Sequence, residues 1–163
     1  MKALNRFAMI IIVTCTSLLM AAQADAVVYT YNSNDGSQSI LDDQTIISTL
    51  TVSDSYSIKD VNVFLDIEHT YVSDLAVYLI SPNGTRVELF TSVGSGINFE
   101  GTILDDDADI LINDGQALVK GSDEAEGNLV DFFGTNPHGL WQLEVSDTAS
   151  EDEGYLNSWG LII

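Results

Sequence analysis

In Leu75-Ala76-Val77-Tyr78-Leu79-Ile80-Ser81-Pro82-Asn83-Gly84-Thr85-Arg86-Val87-Glu88-Leu89-Phe90, two short apolar runs flank a Pro-Asn-Gly turn. β-Branched and aromatic residues favour extended backbone, and Asn-Gly supplies the positive φ angles that a tight hairpin requires. The stretch therefore predicts two strands, over 75–80 and 85–90. Upstream, Ile58 to Glu68 places Val61, Val63, Leu65 and Ile67 on one face and Asn62, Asp66 and Glu68 on the other, the pattern of a half-buried strand. Downstream, Trp141 to Val145 and Tyr155 to Ile163 alternate in the same way, and two further strands are expected over 44–52 and 101–104.

Period-two alternation recurs along the chain and extended helical periodicity does not. Seven or eight short strands, joined by turns rich in Gly, Asn, Asp and Ser, predict an all-β antiparallel sandwich of about eight strands. Trp141 and Trp159 fall on apolar positions in register with strands, which makes them core anchors.

Lys2 and Arg6 precede an apolar run from Phe7 to Met20, and Ala22-Gln23-Ala24 and Ala24-Asp25-Ala26 both offer small-x-small cleavage sites. Residues 1–26 read as a secretory signal peptide, which places the mature chain in the extracellular or periplasmic space of a bacterium. The domain expected is 27–163, or 137 residues (163 minus 26). Cys15 is the only cysteine and lies in the leader, so the mature protein is expected to have no internal disulfide.

Removing Lys2, Arg6 and Asp25 leaves three basic residues against 24 acidic ones, a net charge of 3 minus 24, or −21. Such a field repels phosphate backbones and anionic lipid heads, so neither nucleic acid nor, after leader cleavage, a membrane is an expected partner. It favours hard divalent cations, calcium first.

Several motifs follow in a fixed order: His69-Thr70 with Asp74-Leu75, Ser81 to Thr85, Asn98-Phe99 leading to Asp105-Asp106-Asp107-Ala108, Gly127-Asn128-Leu129 with Phe132-Phe133-Gly134, and the ending from Trp141 to Trp159. In this order and spacing the chain resembles the P domain (P/Homo B domain) that follows the catalytic domain in subtilisin-like proteases of the kexin and furin type. The resemblance implies a jelly-roll β-sandwich. It is closer to bacterial members than to animal ones, where the loop equivalent to Val72-Ser73-Asp74 often reads Arg-Gly-Asp. The stretch 115–127 departs from bacterial relatives and reads as an acidic surface loop.

A subtilisin-like protease needs Asp, His and Ser each in its own local context, and none of those contexts occurs here. The chain is thus expected not to be an enzyme. His69 reads as a structural hydrogen-bonding histidine at a strand end, and His138 as exposed in a turn. Asp105-Asp106-Asp107 is the densest carboxylate supply, although Ile110 and Gln116 stand where an EF-hand needs glycine and glutamate. Bacterial P domains commonly bind calcium, and the resemblance implies that Asp74 and the Asp105-Asp106 pair meet between adjacent loops, with Asp107 and Asp147 contributing. If the strand from Val61 pairs antiparallel with that from Tyr155, the loops at 69–74 and 147–153 share one end of the sandwich.

The function expected is that of a secreted, monomeric, calcium-stabilised accessory module, whose partner is a secreted protease or another extracellular protein. An alternative is a carbohydrate-binding or adhesive sandwich that presents Tyr71, Tyr78 or Phe132 to a glycan.

Overall fold

Alternation becomes strand wherever one face can be buried. The computed structural model of the chain describes residues 27–114 and 121–163. It contains β1 (Thr30–Asn32), β2 (Gln38–Ile40), β3 (Thr45–Val52), β4 (Asn62–His69), β5 (Leu75–Ile80), β6 (Arg86–Thr91), β7 (Phe99–Leu104), β8 (Ser122–Asp123), β9 (Gly139–Asp147) and β10 (Gly154–Ile162). The first sheet runs β1-β10-β4-β7-β8, with β2 paired to β10 as well; the second runs β3-β9-β5-β6. Every pairing is antiparallel except β7 with β8, which is parallel. The protein is an all-β sandwich.

Val63, Leu65 and Ile67 of β4 are buried in one cluster with Leu79 of β5, Leu143 and Val145 of β9, and Leu156 and Leu161 of β10. Trp141 and Trp159 lie in the same cluster, as their alternation predicts. Trp159 Nε1 donates to Ser48 Oγ at 2.7 Å, from β10 in the first sheet to β3 in the second.

β1, β2 and β8 are not legible as alternation, because strands of two or three residues give too little pattern. β1 and β2 are held by β10, along Tyr31↔Leu161 and Ser39↔Tyr155. Between them the chain leaves the sheet and sends Asp35 to β3, where Oδ2 accepts the Thr49 N–H at 2.6 Å and the Ser48 hydroxyl at 3.1 Å. The Thr49 amide, as the largest cause, holds this carboxyl below the usual aspartate range.

Two local expectations need correction. The described part of the 115–127 loop is not simply a solvated surface: Ser122–Asp123 forms β8 beside β7, and Asp123 and Ala125 are buried. An extended segment lying on a sheet edge turns alternate residues inward, acidic or not. Asp123 Oδ2 has no hydrogen-bond partner among the described residues, and burial raises its pKa. The 81–85 turn is also wider than a two-residue hairpin. Gly84 has φ +89° and Asn83 does not have positive φ. Asn83 acts through its side chain, Oδ1 accepting the Thr85 N–H at 3.0 Å, while the Ser81 N–H donates to the Thr85 carbonyl at 2.9 Å.

The expected leader, with Cys15, lies outside the described residues. Among the described residues no helix is long and apolar enough to cross a membrane.

Candidate functional site

Antiparallel pairing decides which loops meet. Gly154 of β10 pairs with His69 of β4, and Leu75 of β5 pairs with Asp147 of β9. The corners at 69–75 and 147–154 are therefore stacked at one end of the sandwich, as expected from the Val61 and Tyr155 strands. A Cβ at Gly154 would run into the Glu68 carbonyl and lie 2.8 Å from His69 Cα, so only glycine allows this approach.

His69 and Asp147 bridge the two sheets at this corner. His69 Nε2 and Asp147 Oδ2 are 3.1 Å apart, with both side chains fully buried. His69 Nδ1 lies 3.2 Å from the Tyr71 N–H donor and 2.9 Å from the Tyr71 carbonyl. Asp147 Oδ1 accepts the Ala149 N–H at 2.9 Å. Histidine with its ring bonded at both nitrogens is the structural residue that its strand-end position implies.

Asp74 closes the short 3-10 helix Val72–Asp74. Its backbone carbonyl accepts the Thr148 N–H at 2.9 Å and the Thr148 hydroxyl at 2.8 Å. Burial raises its carboxyl pKa; Asp147, Asp152 and Asp42 push it further up, and His69 opposes them. Asp152 Oδ1 accepts the Thr70 hydroxyl at 2.7 Å, and Asp42 Oδ2 accepts the Glu151 N–H at 3.1 Å. Asp42 Oδ1 is buried with no partner among the described residues. Asp42 carries no motif in the sequence and becomes visible only through the packing of this corner.

Asp105, Asp106 and Asp107 are elsewhere. β7 runs antiparallel to β4 with Leu104 opposite Val63, so the residues after β7 lie at the start of β4. Asn62 Nδ2 donates to Asp105 Oδ2 at 3.1 Å, whereas Asp74 follows the far end of the same strand. Seven residues of strand at about 3.3 Å each set the two ends roughly 23 Å apart. The expected meeting of Asp74 with Asp105 and Asp106 does not occur, because the two loops sit at opposite ends of β4.

At this second end, Asp106 accepts the N–H groups of Leu129 (3.1 Å) and Val130 (2.8 Å) and so caps the 3-10 helix Leu129–Phe132. Asp105 Oδ1 accepts the Asp107 N–H at 2.8 Å, and the Asp107 side chain is exposed. Asp60 belongs to the same group: burial raises its pKa, and Asp105, Asp107 and Asp106 add to that, against a hydrogen bond from Val61. Among the described residues no group of three or more His, Cys, Asp or Glu is disposed to hold a metal ion as it stands.

Of the aromatic rings named for glycan contact, Phe132 is fully buried, edge-on to Trp141 at 5.1 Å. Tyr78 is half-buried beneath the Arg86 guanidinium, 3.4 Å from the ring centroid. Only Tyr71, at 40% exposure, presents much of its ring to solvent.

The class defined by this architecture is an all-β sandwich domain with carboxylate-rich corners. The family model of the proprotein convertase P-domain matches residues 58–163, and the chain belongs to that family. β1 to β3 precede the matched region. The chain is 34% identical over 97 residues to leupeptin-inactivating enzyme 1 of Streptomyces exfoliatus, an alignment covering 60% of this chain and 17% of that protein. It is 31% identical over 122 residues to a calcium-dependent protease of a Nostoc species, covering 73% of this chain and 16% of that protein. The chain thus spans about a sixth of the length of these relatives. In fold it is similar to the serine protease of Aeromonas sobria solved in complex with a chaperone, with TM-score 0.51, 20% identity, and coverage of 86% of this chain and 27% of that one.

Proposed function

We propose that the protein is a secreted, non-catalytic accessory module that associates with a protease or another extracellular protein and is stabilised by calcium. The observation that carries this reading is the P-domain match over residues 58–163, which covers strands of both sheets, together with the similarity to bacterial proteases of which this chain spans about a sixth. The fate of His69 supports the non-catalytic part: its ring is buried between Asp147 and the Tyr71 backbone, and among the described residues no serine hydroxyl bonds to it. A nucleophile and base need mutual contact and access to substrate. Of the three rings in the glycan-binding alternative, Phe132 is buried and Tyr78 is covered by Arg86, which leaves it Tyr71 alone.

Incubating a secreted subtilisin-like protease with the purified chain should lengthen the half-life of its activity at raised temperature severalfold. The chain alone should hydrolyse nothing and take up no fluorophosphonate. An unchanged half-life across several such proteases removes the accessory role; stoichiometric labelling of one serine removes the non-catalytic one.

For calcium, the corner of Asp42, Asp74, Asp147 and Asp152 offers the better donors. Asp42 Oδ1 has no hydrogen-bond partner among the described residues, and oxygen donors in irregular loops suit a hard cation of flexible geometry. The carboxylates would have to draw inward around the ion, and calcium would there supply the charge that offsets their repulsion. Because the Asp74 pKa is raised in the folded state, its contribution favours folding at acid pH and is lost as pH rises through the folded value. A cation that relieves this should raise Tm at neutral pH. At about 100 times its Kd it would add roughly 2.7 kcal/mol, given weak binding to the unfolded chain. Magnesium, which demands tighter octahedral geometry, should do much less at equal ionic strength. Asp74→Ala should abolish the shift and Asp105→Ala should not. The reverse result moves the ion to the other end of β4, and no shift in the unaltered protein ends the calcium reading.

A further inference from the structure

At the end of the sandwich where β4 begins, a cavity of about 550 Å³ opens between residues 27–29, the loop before β4 and the end of β10. One side of it is apolar: Val27 and Val28 are 69% and 65% exposed, beside Ile162 and Ile163. Tyr29 is 41% exposed and stacks on Tyr56 with centroids 5.2 Å apart and on Tyr31 at 6.4 Å. The stack is braced from behind, the Tyr31 hydroxyl donating to Asp54 Oδ2 at 2.9 Å and bonding the Tyr56 hydroxyl at 3.2 Å. Rings fixed in this way offer contact area at little entropic cost. Asp54 and Asp60 line the same cavity, Asp105 and its neighbours add negative potential at Asp60, and among the described residues Lys59 is the one cation in the lining.

Apolar wall, aromatic face and carboxylate together select an arginine-bearing segment. The chain already contains a small version of that arrangement: the Arg86 guanidinium lies over the Tyr78 ring and donates to Glu144 Oε1 at 2.7 Å. Guanidinium both stacks on aromatic faces and bonds carboxylates in a fork, which lysine does not match. A formal charge of −20 draws such a segment in from a distance.

We propose that this groove docks an extended peptide segment of a partner protein in which an apolar side chain adjoins an arginine, the apolar group against Val27, Val28 and Ile163, and the guanidinium over Tyr29 between Asp54 and Asp60. The assignment does not depend on the partner being a protease, nor on calcium. It differs from the calcium corner in place and in chemistry.

Fluorescence anisotropy with a labelled Leu-Arg-Val-Arg-Leu peptide tests it, at fixed ionic strength and in a chelator. The peptide should bind the whole protein saturably, the lysine counterpart more weakly, and the citrulline counterpart, which is neutral, weakest. Asp54→Asn with Asp60→Asn should weaken binding at least about tenfold, as expected when charged partners are lost from a partly desolvated contact. Asp66→Asn with Glu68→Gln removes the same charge from the outer face of β4 and should change affinity less than about twofold, since screened distant charges contribute little. Asn at position 54 can still accept from Tyr31, so the stack is kept. Equal loss from both double variants means diffuse charge attraction and overturns the proposal. So does absence of binding at millimolar peptide, preferential binding of a neutral oligosaccharide in the groove, or a dimer whose formation Tyr29→Ala abolishes.

Discussion

Trp159→Ala is expected to lower the stability of the folded protein by about 3 to 5 kcal/mol, and Trp141→Ala by a similar amount, as cavity-forming changes in a close-packed core. Trp141 is 0% and Trp159 1% exposed, on strands of different sheets, so each truncation opens a void that the facing sheet must line. The two sites differ in what else they lose. Trp141 Nε1 donates to the Pro137 carbonyl at 2.8 Å, a contact within its own loop and strand. Trp159 Nε1 donates to Ser48, whose hydroxyl in turn meets Asp35, so one indole N–H begins a chain that joins both sheets and the β1–β2 connection. Trp159→Phe should therefore still cost about 1 kcal/mol from the hydrogen bond alone, besides the smaller ring. Thermal unfolding by circular dichroism measures this. A drop of less than about 5 °C for either alanine variant would show that the core relaxes around the gap, against the packing described here.

Asp147→Ala should cost about 1 to 3 kcal/mol, because it leaves the buried His69 Nε2 without its hydrogen-bond partner. The carboxylate is buried and accepts on both oxygens, from the histidine ring and from the Ala149 N–H. Asp147→Asn keeps the acceptor for Ala149 and should cost less. His69→Ala leaves the complementary orphan, and the double variant should cost less than the two single changes added together. Chemical denaturation of the four proteins gives the coupling directly. Additive losses would mean that the pair does not interact in the folded state. The experiment also separates a structural role for Asp147 from one in cation binding, since it reads stability in chelator.

The alternation of Val63, Leu65 and Ile67, of Trp141, Leu143 and Val145, and of Trp159 and Leu161 determined the long strands and which of their faces is buried. That signal is local: each residue's partner in the pattern is two positions away, and burial follows from the pleat. The motif order of the same residues was enough to place the chain in its family. What the sequence could not carry is which strands lie side by side and in what register. Asp74 and Asp105 both lie in loops that follow a strand, and only the antiparallel register of β4 with β7 puts them at opposite ends. The same register with β10 joins His69 to the 147–153 loop and gives Asp147 a histidine rather than a solvated surface. β1, β2 and β8 likewise exist because β10 and β7 present open edges, not because their own two or three residues prefer extended backbone. Charge composition set how many carboxylates there are; pairing between residues far apart in the chain decided which of them face one another, because no local preference encodes a contact across 78 residues.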